Sequence, residues 1–258
     1  MGLIDSHAHL TRGPLASDVA GALDRAVAAG VEHIICIGVD LADARCVIAL
    51  AQSDRRVSAG VGIHPHEAGR VNETEWGEWP ELIRLPVVVA VGEMGLDYHY
   101  DFADRGAQRQ VFERQLAMAS AVDKPIVIHC RDAHSDTLAV LKSAGYAGKR
   151  VVFHCYTGTA AEAAEIADLG WRTSFTGIVT FKNSAEIATM ATGYPVDHLM
   201  IETDSPYLSP EPVRHVRPNE PAHLAHTARF LAARRRVDFE AFAQQTAANT
   251  RAFYGLPG

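Results

Sequence analysis

The sequence predicts a single-domain α/β protein, a (β/α)8 or TIM barrel spanning residues 1–258. Three observations carry that expectation. Short runs rich in Val and Ile recur along the chain, the pattern of parallel strands buried on both faces. Helix-like segments separate these runs, and several stop at a glycine free to take the left-handed conformation that ends a helix. Most runs also finish in a polar residue, often histidine or carboxylate. A barrel gathers such ends on one face, whereas a doubly wound open sheet, the competing architecture, spreads them along an edge.

Eight strand-like runs are read in order: Leu3 to His9, His33 to Val39, Val57 to His64, Val87 to Glu93, Pro125 to Cys130, Val151 to Tyr156, Arg172 to Phe181 and Leu199 to Asp204. Helical periodicity covers Ser17 to Ala29, Arg105 to Ala121, Asp136 to Ala144 and Thr159 to Leu169, with Gly30, Gly145 and Gly170 closing three of them. The longest irregular connections are expected at 66–82 and 209–221. No linker, low-complexity tract or internal repeat divides the chain.

Composition limits the function. With 48% hydrophobic and 21% charged residues the chain can bury a large core. No apolar run approaches the roughly 20 residues of a membrane helix, and no signal peptide is visible, so a cytoplasmic protein without membrane partners is expected, a monomer by default. Four cysteines (Cys36, Cys46, Cys130, Cys155) show no Cys-x-x-Cys pairing and read as free thiols. Cys130 and Cys155 each follow a candidate histidine, so strand alternation points both toward the helix layer. A formal charge of -7 argues against bulk electrostatic capture of a polyanion but not against a nucleic-acid enzyme, because bound metal supplies local positive charge. The basic run Arg234 to Arg236 reads as a solvated helix end.

The strand ends carry the chemistry. They present His7 and His9, His64, Glu93, His129, His154 and Asp204. A single histidine on an apolar strand is more often a hydrogen-bonded core residue than a ligand, but one metal centre accounts for the whole set. In a strand, positions 5, 7 and 9 share a face, so both histidines of "HAH" can enter the barrel mouth. Asp5 faces the same way but deeper, where a supporting role is expected. Imidazole with carboxylate suits zinc, manganese, iron or cobalt, and carboxylate admits magnesium. Six ligands, His7, His9, Glu93, His129, His154 and Asp204, exceed what one open catalytic ion takes from protein, so two divalent ions (Mg2+, Mn2+ or Zn2+) bridged by Glu93 fit better. Asp204 could both ligate and accept the proton of the attacking water. Arg131 suits a phosphate contact by charge type, with a salt bridge to Asp132 or Asp136 as the structural alternative.

The motifs "DSHAHL" (5–10), "GIHPHE" (62–67), "GEMGLDY" (92–98), "HCRDA" (129–133), "FHCYTG" (153–158), "TGIVTFKN" (176–183), "ETDSPYL" (202–208) and "RPNEP" (217–221) together resemble the TatD family of metal-dependent deoxyribonucleases, within the amidohydrolase superfamily. The resemblance spans essentially the whole chain. It implies a hydrolase that removes nucleotides from the 3′ end of DNA, with one ion on His7, His9, Glu93 and Asp204 and the other on Glu93, His129 and His154. Catalytic roles fall to Asp204 and Glu93, and DNA, as single-stranded 3′ ends, is the expected partner. His64 would lie beside the metals and touch substrate phosphate, with a purely structural histidine as the alternative. Pro218 separates Arg217 from Asn219, a departure from many relatives, and Glu220 is expected to anchor its loop by accepting hydrogen bonds. Strand four holds a glutamate where many superfamily hydrolases of small esters, lactones or amides hold a carbamylated lysine, which favours the nuclease over that rival. A metal-binding scaffold without turnover is the non-catalytic alternative.

Overall fold

The first strand, β1 (Leu3–Ala8), is buried at every position, as a strand covered on both faces must be. The computed structural model describes residues 2–257. After β1 follow β2 (Val31–Gly38), β3 (Val57–Val61), β4 (Val88–Asp97), β5 (Ile126–Arg131), β6 (Val151–Phe153), β7 (Arg172–Phe175) and β8 (Leu199–Ile201). These eight strands pair in sequence order, each parallel to the next. The helices are α1 (Val19–Ala28), α2 (Leu41–Ser53), α3 (Trp79–Leu82), α4 (Arg105–Val122), α5 (His134–Ser143), α6 (Ala160–Asp168), α7 (Ala185–Gly193), α8 (Leu224–Arg235) and α9 (Phe239–Tyr254). The architecture is a single-domain (β/α)8 barrel.

Helix starts follow local chemistry. Asp40, Asp104 and Asp238 cap α2, α4 and α9 by accepting a hydrogen bond from the backbone three residues on. Thr159 and Glu162 form a reciprocal capping box on α6. One large apolar cluster lies between strands and helices, and a smaller one fills the barrel's inside. The inner cluster joins Ile35, Ile37, Ala90, Val127, Val152 and Met200 from the strands with Phe253 and Tyr254 of α9, so the last helix plugs the barrel floor. Two residues beyond Val127, strand alternation within β5 brings His129 onto the same inner face, and His154 and Glu202, each one residue past the end of its strand, meet beside it at the barrel mouth.

The seam between β8 and β1 depends on side chains as well as backbone. Asp204 N–H donates to the His7 carbonyl at 3.0 Å and His9 N–H to the Ser205 carbonyl at 2.7 Å. Below them the Asp5 carboxylate accepts from Thr203 N–H at 2.9 Å and the Thr203 hydroxyl at 2.5 Å. Asp5 is therefore a clasp on the barrel, matching the deeper role expected of it. Burial raises its carboxyl to about 8, with the Thr203 hydrogen bonds pulling only partly the other way.

Strand ends differ from the sequence reading in particular places. Strand three stops at Val61, and His64 instead caps a 3-10 turn at Pro65–Arg70. Strand seven stops at Phe175, because Thr176 caps another 3-10 turn over Gly177–Thr180. Strand four is longer than read, running to Asp97. The connection at 66–82 is built from short helical turns that bury Trp76 and Trp79. In the connection at 209–221, Asn219 donates to the Thr203 and Tyr207 carbonyls, and Glu220 accepts from Arg25 at 2.8 Å, the anchoring expected of it. At Arg234–Arg236, the C-terminal end of α8, Arg235 also donates to the Ala191 and Tyr194 carbonyls.

β4 contains the decisive irregularity. Its pairing with β5 shifts between Val91 and Met94. Ala90 faces inward, so strict alternation would send Gly92 inward and Glu93 out; the shift reverses the parity and turns Glu93 into the barrel. Gly95 follows at φ 145°, where an added Cβ would lie 2.0 Å from the His129 carbonyl oxygen. Only glycine fits that approach.

Gly95→Ala should therefore force β4 and β5 apart beneath His129 and lower unfolding free energy by about 3 kcal/mol, read from urea denaturation. Asp5→Ala should cost roughly 2–4 kcal/mol, with Asp5→Asn recovering most of it. The pH dependence of Asp5→Asn supplies a further test. A carboxyl raised from 3.8 to about 8 binds its proton more tightly when folded, so its contribution is complete below about pH 4 and is lost as pH rises through 8. In metal-free protein, the stability difference between Asp5→Asn and the parent should move in the variant's favour across that window.

Candidate metal centre

Glu93 lies at the centre of the barrel mouth, 2% exposed, with its two oxygens facing different groups. Oε1 is 2.8 Å from His129 Nδ1, 2.6 Å from His154 Nε2 and 3.3 Å from His64 Nε2. Oε2 is 3.4 Å from His7 Nε2 and 3.7 Å from His9 Nε2. Asp204 Oδ1 completes the second group, 3.8 Å from His7 Nε2 and 3.5 Å from His9 Nε2. The structure thus brings together His7, His9, Glu93, His129, His154 and Asp204, with His64 beside them.

These separations suit cations. Ligand atoms about 2.1 Å from a tetrahedral ion stand roughly 3.4 Å apart. His7 Nε2 and His9 Nε2 approach to 3.2 Å, a pairing of like atoms that a shared cation accounts for. Ligand atoms of His7, His9 and Asp204 lie within 4.8 Å of one another, as do those of Glu93, His129 and His154. The donor chemistry fits divalent ions on both sides of Glu93.

Supporting contacts aim the rings. His9 Nδ1 donates to the Ile37 carbonyl at 3.0 Å, turning Nε2 inward. His129 Nε2 meets Asp97 Oδ2 at 2.9 Å, leaving Nδ1 for Glu93. His154 Nδ1 stands 3.4 Å from Glu202 Oε1, a charge contact, and Glu202 is itself held by Cys155 N–H at 2.7 Å and by the Ser174 hydroxyl. The His7 and His154 rings stack with centroids 3.9 Å apart. Partners of this kind fix ring orientation and raise ligand basicity.

The electrostatics follow from burial opposed by neighbouring charge. Burial pushes the Glu93 carboxyl up, but the His154, His64 and His129 imidazoles outweigh it and hold it well below the usual carboxylate range. Burial likewise opposes ionisation of Asp204, and His9 and His7 overcome it. His154 stays protonated well above the ordinary histidine range, because Glu93 and Glu202 outweigh its burial. His7 is lowered, by burial and then by His154. Burial lowers His64 to about 4 despite Glu93. The pocket therefore stabilises anionic carboxylates against cations, and bound metal would take the place of the imidazole protons.

Three of the six non-glycine residues with positive φ among the described residues follow barrel strands at this mouth: Asp132 at 53°, Cys155 at 44° and Asp204 at 52°. Such backbone is costly and concentrates where side chains must be re-aimed. It also corrects the expectation for Cys155. β6 has already ended at Phe153, so alternation no longer applies; the thiol lies 3.7 Å from the Thr176 hydroxyl, and after burial the negative Asp204 and Glu202 raise its pKa. Cys130 remains partly buried against the helix-side core, as expected.

Arg131 is outside the cluster. Its guanidinium lies 5.2 Å from the centre of the Tyr100 ring. The alternative ion pairs do not form: Asp136 accepts from the Tyr98 hydroxyl and Asp132 meets His99 Nδ1. Asp97, Glu202 and His66 were not singled out from sequence. His66 Nε2 meets Asp97 Oδ2 at 2.9 Å, joining it to His129 through one carboxylate. Period-two alternation from Glu93 reaches Asp97 within β4, the rule that finds Asp5, whereas Glu202 lies just past the end of β8, where that rule stops.

Comparison with known proteins identifies the family. The family model described as TatD related DNase matches residues 4–255. The chain is 36% identical to the uncharacterized metal-dependent hydrolase YabD of Bacillus subtilis, over 98% of this chain and 99% of that protein. It is 35% identical to the 3′-5′ ssDNA/RNA exonuclease TatD of Edwardsiella piscicida, over 98% of this chain and all (100%) of that protein. The crystal structure of the TatD homologue YjjV from Escherichia coli superposes with a TM-score of 0.93 at 27% identity, covering 99% of this chain and 98% of that one. Matched by that family model over residues 4–255 and by relatives 35–36% identical along almost its whole length, this eight-stranded barrel belongs to the TatD-related DNase family of metal-dependent hydrolases.

Proposed function

We propose that the chain is a two-metal phosphodiesterase that removes nucleotides from the 3′ ends of single-stranded DNA. The split environment of Glu93 carries this reading, because each oxygen faces its own group of imidazole nitrogens. His7, His9, Asp204 and Glu93 Oε2 would hold one ion; His129, His154 and Glu93 Oε1 the other. Bound there, divalent cations would polarise the phosphoryl group and acidify the attacking water.

The chain's own residues account for the remaining steps. Asp204, held anionic by His9 and His7 against its burial, would accept the water proton. Glu93 would fix the spacing across the centre. His64, lowered to about 4 and so neutral near pH 7, would donate a hydrogen bond from Nε2 to a phosphate oxygen while Nδ1 accepts from His66 N–H at 3.1 Å. Arg131, exposed at the rim without a carboxylate partner among the described residues, would contact a phosphate farther along the strand. The exonuclease name of the Edwardsiella relative supports a nucleic-acid substrate.

Metal-stripped protein resupplied with Mg2+, Mn2+ or Zn2+ should shorten 5′-labelled single-stranded DNA progressively, and Asp204→Ala should lower kcat by about 1,000-fold. An intact oligonucleotide under every metal, beside turnover of a small lactone or amide, would sink the proposal. Saturating metal, at about 100 times its Kd, should also stabilise the stripped protein by roughly 2.7 kcal/mol, visible as a rise in Tm that Glu93→Gln abolishes. For Arg131→Ala, the expected change is a raised KM for DNA with the slope of log affinity against log salt reduced by about 0.7.

A further inference from the structure

Three aromatic side chains stand exposed at the barrel mouth: Tyr100 at 41%, Phe102 at 61% and Tyr207 at 60%. The other large apolar side chains exposed to this degree among the described residues are valines, Val27, Val216 and Val237. The aromatics also flank the metal centre from opposite sides. Tyr100 and Phe102 follow β4 and Tyr207 follows β8, positions across the ring in a barrel whose strands pair in sequence order.

Contacts tie each platform to the centre. Tyr100 and Phe102 have ring centroids 5.4 Å apart with planes inclined by 34°. His66 packs against both, 5.5 Å from Tyr100 and 4.7 Å from Phe102, and connects through Asp97 to His129. On the other side the Tyr207 ring is 6.4 Å from that of His9 and only three residues from Asp204.

We infer that these rings are stacking platforms for the unpaired bases on either side of the scissile phosphodiester, Tyr100 with Phe102 holding one side and Tyr207 the other. The inference rests on the nuclease reading and specifies what the substrate must carry. A net charge of -7 leaves little general attraction for a polyanion, so the metals and the few phosphate contacts at His64 and Arg131 need support from contacts that ignore phosphate. Stacking meets that need without sequence preference, because every base has a π-face. It also favours single strands, since bases stacked within a duplex have both faces covered and only an unpaired strand can spread its bases onto separate rings. The Arg131 guanidinium, near the Tyr100 ring, adds a cation to the same platform.

The test compares Tyr100→Ala/Phe102→Ala and Tyr207→Ala with the parent on two 5′-labelled oligonucleotides, one normal and one whose 3′-terminal nucleosides lack bases. With the normal substrate, each variant should raise KM about tenfold. With the base-free end, KM should stay within about twofold of the parent's, which separates lost stacking from a disturbed metal centre. Equal KM values across variants and substrates, with the parent active, overturn the platforms alone. An equal loss on both substrates also overturns them, because it reports damage that does not depend on a base. A parent that cleaves neither substrate with any metal refutes the nuclease reading, and the platforms with it.

Discussion

A buried carboxylate encircled by imidazoles is the interaction around which this barrel is organised. Glu93 is almost wholly removed from water, and an isolated anion there would be strongly destabilised. It remains ionised because His154, His64 and His129 outweigh its burial, and His7 and His9 also bring ring nitrogens within 4 Å of its oxygens. Those histidines come from strands and strand ends far apart in the chain. Only closure of the barrel assembles them, so the fold and the charge balance of its mouth are one problem.

The structure meets that problem with local departures from regular geometry. β4 breaks its register just where Glu93 must turn inward, and Gly95 allows its backbone to lie against the His129 carbonyl. Left-handed backbone at Asp204 and Cys155 redirects the chain at two further strand ends. The seam between β8 and β1 is closed by Asp5 and Thr203 directly below the histidine pair. Deep in the barrel the packing is apolar, with Phe253 and Tyr254 sealing the floor, so the irregular upper layer rests on a close-packed base.

Around the buried imidazoles a second layer of carboxylates sets ring orientation. Asp97 reaches both His66 and His129, while Glu202 faces His154 and is fixed by a backbone amide and a serine hydroxyl. This layer passes from acid to imidazole to acid, and each member reduces the freedom of the next. The outer rim differs in kind. Tyr100, Phe102, Tyr207 and Arg131 leave much of their surface open to solvent, unlike the enclosed imidazoles beneath them.

Much of this was legible from the chain itself. Periodicity and the count of β-rich runs specified a (β/α)8 barrel, because burial on both faces imposes a composition that water-facing strands do not share. Residue type and strand parity marked His7, His9, His129 and His154, and the company they kept marked Glu93 and Asp204. Tertiary structure decided what parity could not. The register shift that turns Glu93 inward, the early end of β7 at Thr176 and the turn capped by His64 depend on how neighbouring strands fit and on hydrogen bonds made after docking. Cys155 was misplaced for that reason: alternation holds only while a chain remains a strand, and β6 stops two residues before it. Sequence records which groups are able to bind cations, but the separations that let them share one centre arise only when eight strand ends close into a ring.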